Sequence, residues 1–399
     1  MFGLLAAVLV LGATAAGTPA SARSHHGHRG NAFTQRNLVS DIPGLAELTD
    51  SNVVNPWGIA FGLGANATPL WVNNNGASDP TQAIQLYKGA TTATDPVVKV
   101  GLQVAASVPF GLVFNPTTDF KIDQGAGPTP ARFLFTELLD PNALEGGITG
   151  WANQVIPPAT TPPVTTTPTD ARKAPSLPFG LALVPGRTGH DEHGRSRHDK
   201  GDRGNRLLVA DGLTGTVDVY DAAFQPVTGP GLFVDPTIAD VGFVPYNVAF
   251  LKNRVYVAYA DANGGPGGAI SVFKADGRFQ KRLATNGAVG TLQGPWGMAI
   301  APEHWGKFGG RLLVGNVGDG TINVFGRRSG QFKGTVSDAS GAPLVNSGLW
   351  GIAFGNGVIG TPRTLVFAAG IGNEVNDVTH EYEHGLIGLI SPVRAKHHH

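Results

Sequence analysis

Six side chains carry the chemistry that this chain could do. Asn74, Glu137, Asp211 and Asn316 each close a short apolar run, in WVNN, FLFTE, LLVAD and LLVGN. Tyr259 and Ala369 hold the same place in two further runs. A recurring position of this kind sets oxygen donors at one level, and hard oxygens are what calcium takes. A calcium-type ion held by Glu137, Asp211, Asn247 and Asn316 would polarise a substrate and activate water. The same residue types also cap tight turns, because Asp and Asn side chains bond the backbone N–H groups just ahead of them.

Asn247 and Asn55 complete the candidate ligand-binding set. Asn247 stands in a six-residue pattern where five other copies of it have Gly. Asn55 immediately precedes the first copy. A polar group at either place faces a bound molecule or bonds a neighbouring backbone. The second position of the pattern is always aromatic: Trp57, Phe110, Phe179, Tyr246, Trp296 and Trp350. Six rings on one axis would make a stacking funnel for a flat ligand. Strand alternation favours a different placement, with positions two, four and six on one face, wedged between units as core.

His380-Glu381-Tyr382-Glu383-His384 is a literal H-E-x-x-H. Zinc peptidases need those histidines one helical turn apart. Here the motif runs straight into the strand-like GLIGLI, so a surface turn is expected and peptidase chemistry is not. His384 and Glu383 remain free to face a funnel. His190, His193 and His198 lie in a charged insert, where adventitious metal binding is the plain reading. So it is for His25, His26 and His28, and for His397 to His399. No G-x-S-x-G elbow is present, and no Gly-rich phosphate loop carries a Lys.

The elements that position these residues form a series. The pattern reads PWGIAF from Pro56, PFGLVF from Pro109, PFGLAL from Pro178, PYNVAF from Pro245, PWGMAI from Pro295 and LWGIAF from Leu349, at spacings of 53, 69, 67, 50 and 54 residues. Each copy is followed by an apolar β-rich run, a Gly- and Asp-rich turn, and a second run such as AIQLY, TVDVY or TINVF. Period-two alternation bounded by Gly, Asn and Asp reads as strand. A repeat of this length means stacked copies of one β unit. Six copies predict an all-β, six-bladed β-propeller.

The last unit has room for three strands, and NLVSD at Asn37–Asp41 belongs to no unit. The N-terminal strand is therefore expected to complete the last blade and close the ring, covering an open edge. Pro157–Thr169 is Pro- and Thr-rich, and Gly186–Asn205 is highly charged; both read as solvated inserts that stretch the spacing.

Composition narrows the class. The 399 residues include 57 Gly, 29 Pro and no Cys, with 29 basic against 29 acidic residues. There is no basic stripe for nucleic acid. GLLAAVLVLGATAAG, followed by Ala20-Ser21-Ala22, reads as a signal peptide over 1–22. Residues 23–36 are expected as a disordered leader, 37–394 as the single propeller and 395–399 as a tail. No membrane span is expected in the mature chain, which is read as a secreted or periplasmic monomer.

The units are similar to NHL-type repeats. NLVSD, NPWGIA at Asn55, LLVGNVGDGTINVF from Leu312, LWGIAFGNG from Leu349 and EHGLIG from Glu383, taken together, resemble a family of exported bacterial propellers. That resemblance covers about 37–393 and implies the fold and export, without transferable catalytic residues. A more distant likeness, of fold only, is to gluconolactonase- and paraoxonase-type propellers, which hydrolyse lactones with calcium. Two functions follow. One is a binding module for a small molecule, glycan or extracellular protein. The other is a calcium-type hydrolase or lyase acting on lactone- or ester-like substrates in the funnel.

Overall fold

The computed structural model describes residues 32–123, 127–152, 176–186, 204–286, 290–375 and 382–393. The signal segment, residues 23–31 of the leader, the Pro/Thr stretch, residues 187–203 of the charged insert, His380, Glu381 and the tail lie outside them.

Strands β1 (Phe33–Ser40) and β2 (Leu48–Thr49) come first. Blade one is β3 (Pro56–Ala60), β4 (Leu70–Asn74), β5 (Ile84–Gly89) and β6 (Val97–Val104). Blade two has β7 (Val108–Phe114), then a small hairpin of β8 (Lys121–Asp123) and β9 (Pro128–Pro130), then β10 (Phe133–Asp140) and β11 (Glu145–Trp151). Blade three is β12 (Pro178–Val184), β13 (Arg206–Asp211) and β14 (Thr216–Tyr220). Blade four is β15 (Phe243–Leu251), β16 (Arg254–Asp261), β17 (Gly268–Phe273) and β18 (Phe279–Asn286). Blade five is β19 (Pro295–Ile300), β20 (Leu312–Asn316), β21 (Ile322–Phe325) and β22 (Phe332–Thr335). Blade six has β23 (Leu349–Phe354), β24 (Leu365–Ala369) and β25 (Leu386–Pro392).

Each blade is an antiparallel meander, and together they make a six-bladed β-propeller. The ring closes as the sequence predicts. β1 pairs antiparallel with β25, from Phe33 opposite Pro392 to Ser40 opposite Leu386. The strand starts earlier than expected, so residues 33–36 are not leader. The cause is Phe33, which is buried and stacks 5.7 Å from Phe308 and 4.5 Å from Trp305 of blade five. Arg36 adds a lock to blade one: its guanidinium pairs with Glu47 and donates to Thr92 O and Asp95 O, both at 2.7 Å.

The core lies between blades. Trp71, Phe133, Phe135 and Trp151 fill the space between blades one and two. Val257, Tyr259 and Phe273 of blade four meet Ala182 and Leu208 of blade three. Equivalent clusters join every other consecutive pair, including blades six and one. This is the wedge packing that alternating strands produce when apolar on both faces. The β8–β9 hairpin, unforeseen in the sequence, is pinned by Phe120, whose ring lies 5.4 Å from Phe224 of blade three. The neck of the charged insert is tied by Gly186 N–H donating to Asn205 Oδ1 at 2.9 Å.

Candidate functional site on the propeller axis

The inner strand of every blade carries one extra residue just after the pattern begins. In blade one, Pro56 faces Asn74 and the next pair is Ile59 with Val72, three residues against two. Blades two, three, five and six repeat this count, and blade four has two against one. An extra residue of this kind is a β-bulge, which bends a strand and re-aims its side chains.

The bulge decides where the aromatics go. Alternation places them between blades, but it is broken between positions two and four. Position four stays between blades: Leu112 packs with Trp71, and Ile352 joins blades five and six. Position two turns to the axis. Trp57, Phe110, Phe179, Tyr246, Trp296 and Trp350 gather in one cluster, with Leu138, Ala260 and Val317 among them. Their rings meet across the axis as well as around it. Trp57 stacks on Trp350 at 3.6 Å and meets Trp296 edge-on at 5.2 Å. Phe179 lies 6.2 Å from Trp296, and Tyr246 lies 6.0 Å from Trp350. Five of the rings are buried and Phe179 is half-buried. The set is a plug, neither a funnel for a flat ligand nor an inter-blade core. Trp57 Nε1 and Tyr246 Oη are buried in it with no hydrogen-bond partner. Burial pushes the Tyr246 phenol far above its ordinary value, so it stays protonated.

Glycine at position three lets the blades meet. A Cβ on Gly58 would lie 2.5 Å from Phe110 O, and one on Gly351 would lie 2.7 Å from Trp57 O. In blade four Asn247 replaces the glycine and reaches the corresponding carbonyl directly, donating from Nδ2 to Trp296 O at 2.9 Å. Its Oδ1 accepts from Val248 N–H at 2.8 Å. One amide hydrogen and one lone pair are left over. Beside the plug runs a cavity of about 210 Å³ bounded by inner strands of all six blades, including Gly58, Gly111, Leu181, Asn247, Trp296 and Gly351. Asn247 supplies its one side-chain amide.

Asn55 serves the plug itself. It sits in the left-handed region at φ 45°. Its Oδ1 accepts from Trp350 Nε1 at 3.0 Å, and its Nδ2 reaches Asn75 Oδ1 at 3.4 Å. Next to it, His384 O accepts from Asn55 N–H at 3.1 Å. His384 Nδ1 bonds Asp41 Oδ2 at 2.6 Å, and Gly385 N–H donates to Asp41 Oδ1 at 2.9 Å. The described half of the H-E-x-x-H motif is thus a turn that ties the end of β1 to the start of β25. Asp41 had no signal beyond closing the NLVSD motif.

Three of the four expected calcium ligands are engaged inside their own blades. The level is right, since Asn74, Glu137, Asp211 and Asn316 lie opposite Pro56, Pro109, Pro178 and Pro295. Each nevertheless bonds inside its own blade. Glu137 is buried; Thr149 Oγ1 donates to Oε1, and Ser107 N–H donates to Oε2 at 2.6 Å. Burial raises its pKa above the ordinary carboxylate value, against the pull of those two bonds. Asp211 accepts from Ser176 Oγ at 2.8 Å, and from Leu177, Leu213 and Thr214 N–H. Asn316 Nδ2 donates to Thr291 O at 3.2 Å, and Asn74 Nδ2 to Ala83 O at 3.2 Å. These are staples between a blade's lead-in segment and its turns. Asn247, the fourth ligand, is committed to the Trp296 carbonyl. Among the described residues no three His, Asp or Glu side chains form a metal-sized group.

No family model matches the chain. An uncharacterised protein of Acanthamoeba polyphaga mimivirus is 29% identical over 329 residues, 79% of this chain and 72% of that protein. A second uncharacterised protein of the same virus is 36% identical over 161 residues, 37% of this chain and 42% of its own length. Among solved structures, an α-L-arabinofuranosidase from Fusarium graminearum, bound to an iminosugar inhibitor, superimposes with a TM-score of 0.53 at 11% identity, covering 90% of this chain and 98% of that one. A glucose dehydrogenase gives a TM-score of 0.49 at 12% identity, covering 89% and 98%. At 11% identity the likeness to the arabinofuranosidase shows the propeller fold and nothing about activity. Among the described residues no helix is long and apolar enough to cross a membrane.

Proposed function

We propose that this chain is an exported binding module, akin to the bacterial propellers that its motifs resemble. It takes a small molecule into the axial cavity. One observation carries the reading: a space of about 210 Å³, walled by backbone at the glycines, by aliphatic side chains and by Met298, Phe250 and Trp296, holds a single side-chain amide, Asn247. Sites of this type bury an apolar body and fix its orientation with a few polar groups. A cavity of about 150 Å³ already accepts benzene, so a single ring or a short chain with one hydrogen-bonding group is the right size. Glycans and extracellular proteins are less suited to so narrow a space.

The test is a thermal-shift panel of single-ring lactones, phenols and short aliphatic amides on the mature chain, which export is expected to leave starting at Arg23. Asn247→Gly restores the residue found in the other five copies, so it should fold. Stabilisation in the wild type that disappears in Asn247→Gly is the expected result. Equal shifts in both proteins, or none in either, would sink the reading. A mass spectrum of protein from the culture medium checks export through the mature N-terminus.

A calcium-type hydrolase of lactone- or ester-like substrates is the second reading. It draws on the Oδ1 atoms of Asn74 and Asn316, which are buried without a hydrogen-bond partner. Calcium in the same assay decides it: a rise in melting temperature, lost in Asn316→Leu, would support metal binding, and no rise would dismiss it.

A further inference from the structure

Asn247 is held at both ends in a way that leaves one edge of its amide for something else. Nδ2 donates to Trp296 O at 2.9 Å, and Oδ1 accepts from Val248 N–H at 2.8 Å. The Trp296 carbonyl is fixed, because its ring is wedged in the plug, with centroids 4.9 Å from Tyr246 and 5.3 Å from Trp350. A bond to the next N–H along the chain closes a small ring through Cβ, so it uses the lone pair of Oδ1 on that side. What remains is one amide hydrogen and one lone pair, a donor beside an acceptor. Asn247 is half-buried, whereas the glycines at the same position of the other five blades are buried. At this level it is the side chain that a molecule on the axis can reach.

Among the described residues that line the cavity, no side chain is charged. An ion placed there would lose its hydration without gaining a counter-charge. Resting on the reading that the axial cavity is a binding site, we propose that its ligand class is the neutral cyclic amide. A ring lactam carries its N–H and C=O on one edge, and both can meet Asn247 at once. The chain makes such a two-point bond elsewhere: Gln35 Nε2 donates to Asn346 Oδ1 at 2.8 Å while Asn346 Nδ2 donates to Gln35 Oε1 at 2.9 Å. A lactone of the same shape offers acceptors alone. It pairs the amide hydrogen and leaves the Asn247 lone pair without a donor, a loss of about tenfold in affinity. Val248, Met298 and Ile352 wall the space that the rest of the ring would fill, and a volume of about 210 Å³ suits a single ring with its substituents.

The experiment is a ligand-observed NMR titration of the full mature chain with rings of nearly one shape: 2-piperidinone, its N-methyl derivative and δ-valerolactone. 2-Piperidinone is expected to bind about tenfold more tightly than either of the others. That preference is expected to vanish in Asn247→Gly, which restores the residue of the other five copies. Equal binding of all the rings by the wild type, weakened together in Asn247→Gly, would overturn the lactam preference and leave the axial site standing. Binding of none would remove both. A preference for 2-piperidinone that persists undiminished in Asn247→Gly would also overturn the assignment, because recognition would then lie away from Asn247. The rings are compared within one protein, so altered folding of the variant cannot imitate the preference.

Discussion

One inserted residue per inner strand does most to shape the axis. Without the bulge, Trp57 and Ile59 would share a face; with it, the ring goes to the axis and the aliphatic chain goes between blades. Trp350 shows what this demands of polar atoms, because its indole N–H is buried and Asn55 must accept from it. Glu137 is the residue whose chemistry can be read most directly. Its folded pKa lies above the ordinary value of 4.5. The folded chain then holds this proton more tightly than the unfolded chain. The resulting stability is fully present below about pH 4.5 and is lost as pH rises through the folded value. Glu137→Gln is neutral throughout and lacks that dependence. The melting temperature of wild type minus that of Glu137→Gln is therefore expected to rise as pH falls from 7 toward 4.5. A difference that stays flat across this window would contradict the burial of the carboxyl.

At the scale of elements, β1 is the piece that makes the ring a ring. It buries Phe33, Leu38 and Val39, and its end is tied to the start of β25 through Ser40 and Asp41. Three apolar side chains at ~1.5–3 kcal/mol each come to about 5 kcal/mol or more. Removing residues 33–40 is expected to lower the melting temperature by about 6 °C or more, and to promote association through the bared edge of β25. A thermal melt within about 1 °C of wild type, a shift of ~1 kcal/mol at this chain size, would mean that the blade-six sheet is complete without β1.

At the scale of the molecule, closure is a hairpin whose turn is missing. Phe33 faces Pro392, and Val393 N–H donates to Ala32 O at 2.9 Å. A circular permutant that joins residue 393 to residue 32 through Asn-Gly, and opens the chain between β1 and β2, would make β25 and β1 one continuous hairpin. It is expected to melt within a few degrees of the unpermuted chain, and to do so in a single transition. A fall as large as that of the β1 deletion would show that closure needs more than this pairing.

The repeat, the strand ends and the closing strand were legible in the sequence because each is local or periodic. Six copies of one pattern mark six inner strands, and the residues aligned at the ends of the second strands do lie opposite the first residue of each copy. The leftover NLVSD pointed to the missing strand. The direction of the side chains was not legible. Parity along a strand survives only while no residue is inserted, and a bulge shows itself in pairing, which involves another strand. The partners of Asp41 and Asn247, and the use of Glu137, Asp211 and Asn316 as staples, likewise depend on neighbours distant in the chain. Sequence determined the number and order of the blades, since local pattern does that. Tertiary structure alone decided what faces the axis, since that depends on how six blades meet.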